Sequence, residues 1–209
     1  MTASERGLFV TLEGGDGSGK TTQAARLEKW FTDRGRTVVR TREPGGTEVG
    51  QLIRDIVLHH RGDVAPRAEA LLYAADRAHH IATVVRPALE RGDVVIQDRY
   101  LDSSVAYQGA GRVLGRDEIR DLSLWATGGL LPDVTVLLDL DPHIARARLD
   151  AADKPFDRLE AEARSFHDRV RAEFLALAEA EPDRFLVVDA SLPSAQVGEI
   201  ILSRVAALG

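Results

Sequence analysis

The sequence predicts an α/β fold: a doubly wound, five-stranded parallel sheet with helices on both faces. Three observations predict it. Short apolar runs alternate with helix-period patterns along the chain. The runs are continuously apolar, as strands covered on both faces must be. The 209 residues contain no internal repeat, low-complexity tract or Pro/Ser linker, so one domain over 1–209 is expected.

The elements follow in order. Leu8–Leu12 is the first strand, closed by Glu13-Gly14-Gly15. A helix is expected over Thr21–Asp33, with Gly35 as its stop. Thr37–Val39 is the second strand. Thr47–His60 is helical, with Leu52, Ile53, Ile56 and Val57 as its apolar positions. Pro66 opens a long helix whose apolar stripe runs through Ala68, Leu71, Leu72, Ala75, Ala78, Ala82 and Val85. Pro87 kinks or ends it. Val94–Ile96 and Val134–Leu140 are the third and fourth strands. Asp150–Phe156 is polar, carries a proline and lies between two helical patterns; it reads as a connecting loop or as a lid at about 149–158. Arg158–Glu181 is a long helix with Leu159, Ala163, Phe166, Val170, Phe174 and Leu177 on one stripe. Phe185–Val188 is the fifth strand and Gln196–Leu208 the closing helix.

Composition narrows the function classes. Apolar residues make up 44% and charged residues 29%, which is globular. Lysine and arginine number 27 against 33 aspartate and glutamate, and no long basic run exists, so no nucleic-acid partner is expected. There is no cysteine, which excludes a disulfide framework, thiol catalysis and a cysteine zinc site. The first six residues are polar with no apolar signal region behind them, and no run approaches the ~18 apolar residues of a spanning helix. A cytoplasmic protein without a membrane partner is expected.

The strongest motif is Gly14-Gly15-Asp16-Gly17-Ser18-Gly19-Lys20-Thr21, which matches G-x-x-x-x-G-K-[ST] between a predicted strand and a predicted helix. Glycines let backbone amides point inward as an anion nest, and the helix N-terminus adds positive character. Lys20 suits the β- and γ-phosphates of a nucleoside triphosphate, and the Thr21 hydroxyl suits Mg²⁺. Asp98-Arg99-Tyr100 ends the third strand, at the edge where such sheets bind ligands. Asp98 can hold a metal or its waters, and Arg99 can clamp a phosphoryl group. Arg42-Glu43-Pro44-Gly45-Gly46-Thr47 ends the second strand with a stiff turn. Tyr73 and Arg77 stand one helical turn apart and can stack on and bond to a base, or serve as a core tyrosine and a surface arginine. The pairs His59-His60 and His79-His80 read as surface or partner-contact histidines, since neighbours on a helix point different ways.

Read together, the phosphate loop, TREPGGT at Thr41–Thr47, LLYAADRAHH at Leu71–His80, DRYLDSSVAYQGAGR at Asp98–Arg112, Pro132-Asp133 and Asp157-Arg158-Leu159-Glu160 resemble the thymidylate kinase family of P-loop nucleoside monophosphate kinases. The resemblance implies ATP and dTMP as substrates, Mg²⁺ as cofactor and a homodimer. It implies an ATP site over Gly14, Gly15, Asp16, Gly17, Ser18, Gly19, Lys20, Thr21 and Thr22. Asp16 would lie near the acceptor sugar and the reacting phosphates. Asp98 and Arg99 would support the metal and hold the acceptor phosphate. Arg42, Glu43 and Pro44 would belong to the acceptor pocket. Tyr73 would stack on the base, Arg77 would contact it, and Ser104 and Gln108 would read its edge or nearby groups. Tyr107 would disfavour a ribose 2′-hydroxyl. Relatives with glycine at the place of Gly17 carry lid arginines; here Arg148 or Arg158, or Lys154, would supply that charge.

Two other readings stay open. A kinase for a deoxynucleoside or another monophosphate would share the phosphate loop, though Arg42 and Arg99 favour an acceptor that already carries a phosphate. A nucleotide-dependent switch would also bind ATP; no Asn-Lys-x-Asp guanine reader is present, which argues against a GTPase.

Overall fold

The protein is described by a computed structural model covering residues 7–60, 62–112, 114–151 and 156–208. The chain runs β1 (Leu8–Glu13), α1 (Lys20–Thr32), β2 (Val38–Arg42), α2 (Glu48–His59) and α3 (Pro66–His80). Then come α4 (Arg86–Glu90), β3 (Val94–Asp98), α5 (Leu101–Ser104), α6 (Arg116–Thr127), β4 (Val134–Asp139) and α7 (Pro142–Ala151). It closes with α8 (Arg164–Ala180), β5 (Phe185–Asp189) and α9 (Ser194–Ala206). The five strands are all parallel, in the order β2-β3-β1-β4-β5.

The two-residue period of a strand sorts the core. Val10, Leu12, Ile96, Val136 and Leu138 pack with Leu27, Phe31, Val197 and Ile201 of α1 and α9 on one face. On the other face Leu137 and Phe185 meet Phe166, Val170, Phe174 and Leu177 of α8. Phe9 and Val95 meet Ile81, Val85 and Tyr100. Each strand runs past its last apolar residue, or stops before it, to end on a charged one: Glu13, Arg42, Asp98, Asp139 and Asp189. That edge is therefore lined with ionisable groups.

Several sequence expectations are corrected. The long helix expected from Arg158 begins at Arg164. Asp157 Oδ1 accepts from the amides of Leu159 and Glu160, both at 2.9 Å, which closes a separate turn before the helix. Pro87 does not end the third helical region. The chain widens into a π-helical turn over Ile81–Val85 and continues as α4, which absorbs the missing proline N–H. The α6 helix and the π-helical segment Val105–Gly111 after α5 have no counterpart in the sequence reading.

The largest correction concerns α3. Its expected apolar stripe is largely outward: Ala68 and Ala75 are exposed and Leu71 is 59% exposed. The buried face carries Glu69, Tyr73, Asp76, Arg77 and His80. Likewise Leu52 and Ile56 of α2 face outward, 67% and 45% exposed, while Val57 is buried. No described helix is long and apolar enough to cross a membrane. The segment 152–155, which holds Lys154 and much of the expected lid, lies outside the described residues.

Candidate active site

Between β1 and α1 the chain passes Gly14, Gly17 and Gly19 at φ of 128°, 76° and 96°. At Gly14 space as well as conformation demands glycine, because a Cβ there would lie 2.4 Å from the Leu138 carbonyl oxygen. Gly19 starts α1 from the left-handed region, so the first amides of the helix face the loop. Lys20 Nζ donates to the carbonyls of Gly14 (3.1 Å) and Gly15 (2.9 Å). Burial lowers its pKa, as does the Arg99 charge, while Asp98 and Asp16 oppose the shift. Ser18 is buried, its hydroxyl without a partner among the described residues. Thr22 is exposed one residue beyond Thr21.

Arg99 follows β3 at φ 66°, a conformation that costs a non-glycine residue of order 1 kcal/mol or more. Its surroundings hold it there. The amide donates to the Leu12 carbonyl at 2.9 Å, and the carbonyl accepts from Gln97 Nε2 at 3.0 Å. The guanidinium reaches the Gly14 carbonyl (3.0 Å), Ser103 Oγ (3.2 Å) and Asp16 Oδ1 (2.6 Å). Burial pushes the Asp16 carboxyl up, but Arg99 and Lys20 outweigh it and hold it at about 2. Behind the loop, Glu13 accepts from the amides of Tyr100 (2.7 Å) and Ser103 (3.2 Å) and from Ser103 Oγ (2.5 Å). Burial and the charge of Asp102 raise its pKa to about 7.

Asp16, Lys20, Arg99 and Ser103 share one cavity of about 430 Å³. It is lined by Asp16, Gly17, Gly19, Lys20 and Thr21, by Asp98 and Arg99, and by the whole set the sequence assigned to the acceptor. Arg42 ends β2, and Glu43-Pro44 follows it through a cis peptide. Arg77 is 2% exposed; its guanidinium donates to Glu43 Oε2 (2.8 Å), Ser123 Oγ (3.1 Å), the Tyr100 carbonyl (3.1 Å) and Ser104 Oγ (3.1 Å). Tyr107 packs edge-on to Phe166 and Phe174, with the Arg99 guanidinium 5.1 Å from its ring centre. Tyr73 and Gln108 complete the wall.

The comparisons with known proteins can be set on this geometry. The family profile described as thymidylate kinase matches residues 12–201. A protein called thymidylate kinase from Leifsonia xyli subsp. xyli is 72% identical over 95% of this chain and 94% of its own length. One of that name from Clavibacter michiganensis subsp. michiganensis is 68% identical over 97% and 96%. One from Deinococcus radiodurans is 50% identical over 98% of each. The chain belongs to the thymidylate kinase family.

The two described candidates for the lid charge, an expectation from that family, lie apart. Arg148, on α7, donates to the Gly17 carbonyl (3.2 Å) and the Ala190 carbonyl (3.1 Å), so it stands at the phosphate loop. A Cβ on Gly17 would sit 3.0 Å from the Ala145 carbonyl, so α7 rests on the loop there. Arg158 makes no hydrogen bond to the loop among the described residues. It donates to the Val57 carbonyl at 2.9 Å and makes a close contact with Glu69.

The sequence reading missed several groups of the site. Arg54 lines the cavity beside Arg42 and donates to the Pro44 carbonyl at 2.9 Å; burial and the Arg42 charge lower its pKa. His80 is fully buried rather than a surface histidine: Nδ1 meets Glu43 Oε1 at 3.0 Å and Nε2 meets Thr41 Oγ1 at 2.7 Å. Asp76 accepts from the Gly45 amide at 3.2 Å, while its Oδ2 is buried without a partner among the described residues. The available signal was spacing: Glu69, Tyr73, Asp76, Arg77 and His80 fall on one face of a helix.

Burial, then the Glu43 charge, raise the Asp76 pKa from 3.8 to about 6. The native state therefore holds a proton that the unfolded chain releases near pH 4. Stability falls as pH rises from about 4 to about 6, by an amount on the order of 1–3 kcal/mol. Asp76→Asn keeps the acceptor for Gly45 and removes this part of the pH dependence. Urea unfolding of both proteins across that range checks it; parallel curves would refute it.

Proposed function

We propose that the chain is a dTMP kinase, moving the γ-phosphoryl group of ATP to dTMP and yielding dTDP and ADP for dTTP synthesis. The observation that carries this reading is the single cavity in which the phosphate-loop residues meet Arg42, Arg99, Tyr73 and Arg77. A bond forms between an oxygen of the dTMP phosphate and the γ-phosphorus, and the bond to the β–γ bridging oxygen breaks, its electrons staying on ADP. The attacking oxygen is already anionic, so no general base is needed and the work is alignment and charge neutralisation. Lys20 and the α1 amides serve the donor phosphates. Arg99, fixed by Asp16 and the Gly14 carbonyl, clamps the acceptor phosphate, and Arg42 and Arg54 add positive charge. Tyr73 stacks on the base, Arg77 and Gln108 meet its edge, and Tyr107 closes the space a 2′-hydroxyl would need.

Mg²⁺ fits the same cavity. Asp98 Oδ1 is buried without a partner among the described residues, and Asp98 and Thr21 both line the cavity. One carboxylate and one hydroxyl suit a cation that takes its remaining oxygens from phosphates and water. When bound, it supplies charge neutralisation across the β- and γ-phosphates.

The family also implies a homodimer. Val49, Leu52 and Ile56 of α2, Leu71 of α3 and Trp125 of α6 are exposed, Trp125 at 81%. A second copy covering this apolar surface accounts for the outward stripe of α3. The reading further implies a cytoplasmic enzyme, which cell fractionation checks.

Three measurements follow from this reading. ADP release with Mg²⁺, ATP and a panel of acceptors should be strong with dTMP, weaker with dUMP and slight with UMP. Turnover led by thymidine or another monophosphate would overturn the acceptor assignment, and ATP binding without acceptor-stimulated turnover would favour a switch. Arg148→Ala should lower kcat by tenfold or more, toward the ~10³ typical of such arginines, and Arg158→Ala by less; two near-normal rates would refute a role for Arg148. Leu52→Asp with Trp125→Asp should convert a dimer to monomers in light scattering; an unchanged mass would move the interface elsewhere.

A further inference from the structure

We infer that Glu69, which stands behind the cavity wall, fixes the orientation of the Gln108 amide and thereby selects an imide base over an amino base. The inference rests on the dTMP kinase reading and deepens it.

Glu69 lies in the first turn of α3 and is fully buried. Its carboxylate accepts from Gln108 Nε2 at 3.0 Å and from Arg112 Nε at 3.4 Å, and it touches Arg158. With two guanidinium groups against it, the carboxylate offers acceptors only. The Gln108 amide has a donor end and an acceptor end. Turning it over would set its carbonyl oxygen against a carboxylate oxygen in a buried place, replacing a hydrogen bond by a repulsion. The donor end is thus committed to Glu69, and the acceptor end is not. Gln108 lines the cavity, and its Oε1 has no partner among the described residues.

The cavity therefore meets an acceptor at Gln108, while Arg77 lines the same wall with one Nη1 N–H left over after the four that meet Glu43, Ser123, the Tyr100 carbonyl and Ser104. A donor beside an acceptor complements the C=O and N–H of an imide, the edge of thymine and uracil. Cytosine carries an amino group where the imide has a carbonyl, and a lone pair where it has N–H. Both contacts would then set like against like. An amide or hydroxyl in place of Glu69 would accept either orientation of Gln108; a carboxylate accepts one. Glu69 is in this sense a positioning residue: it acts on the base through Gln108.

The test compares kcat/KM for dTMP and dCMP in the wild type, Glu69→Gln, Gln108→Ala and the double variant. Glu69→Gln should lower the dTMP-to-dCMP ratio by about tenfold or more, since the wall no longer enforces one polarity. On the Gln108→Ala background the same substitution should leave the ratio unchanged. A purely structural role would slow both acceptors together. A ratio unmoved in Glu69→Gln, or one that still shifts without Gln108, overturns the inference. If Glu69→Gln does not fold, Glu69→Asp keeps the anion beside Arg112 and Arg158 but withdraws it from the amide; it should lower the ratio likewise, and an unchanged ratio overturns the inference. A wild type that does not use dTMP overturns the functional reading together with this inference, whereas a dTMP-active wild type with an unmoved ratio overturns this inference alone.

Discussion

The carboxylate of Glu13 is buried where β1 meets the turn after β3, and it takes two backbone amides and a hydroxyl from Tyr100 and Ser103. A charge in such a place costs several kcal/mol unless its lone pairs are met, and here the start of α5 meets them. The consequence is geometric. The residue just before the phosphate loop and the residues just after Arg99 become one rigid unit. Arg99 can then be held at φ 66° with its guanidinium on Asp16. Asp102, one residue before Ser103, adds its charge to the burial that raises the Glu13 pKa, and is itself paired bidentately with Arg184 at 2.7 and 2.9 Å. The network thus reaches from the loop, through α5, to the start of β5.

The sheet behind this unit was legible in the sequence because its signal is local. Five apolar runs gave five strands, in a parallel sheet, from the pattern alone. The strand ends were not legible, since a charged residue at the carboxyl edge belongs to the site rather than to the core. Helix α6 escaped because its buried positions are Ile119, Ser123 and Thr127, two of them polar. The stripe of α3 was read the wrong way round for a related reason. Hydropathy assumes that apolar means inward, and α3 instead turns a polar face inward, where Arg77 finds partners in Glu43, Ser104 and Ser123.

The site divides along the same line. The phosphate loop declares itself because its chemistry needs a contiguous run of glycines, a lysine and a threonine. Glu13, Glu69, Asp102 and His80 carry no such mark. Their partners lie far along the chain, 87 residues for Glu13 to Tyr100, 39 for Glu69 to Gln108 and 82 for Asp102 to Arg184. A lone carboxylate in a helix reads as a solvated charge until the fold supplies its partner.

Distance in the chain also separates two arginines that look equivalent in sequence. Arg158 is committed: withdrawing it would strip one of two guanidinium groups from a carboxylate that has no access to water, and an uncompensated buried charge is costly. Arg148 sits on an exposed face of α7 and, among the described residues, is bound to the carbonyls of Gly17 and Ala190. Leaving them gives up two hydrogen bonds to neutral carbonyls and strands no buried charge, so it costs less than breaking the Arg158 pair. A charge that must follow a moving phosphoryl group has to be free to leave its resting partners. By that criterion Arg158 is fixed on Glu69, whereas Arg148 has resting partners that it can leave.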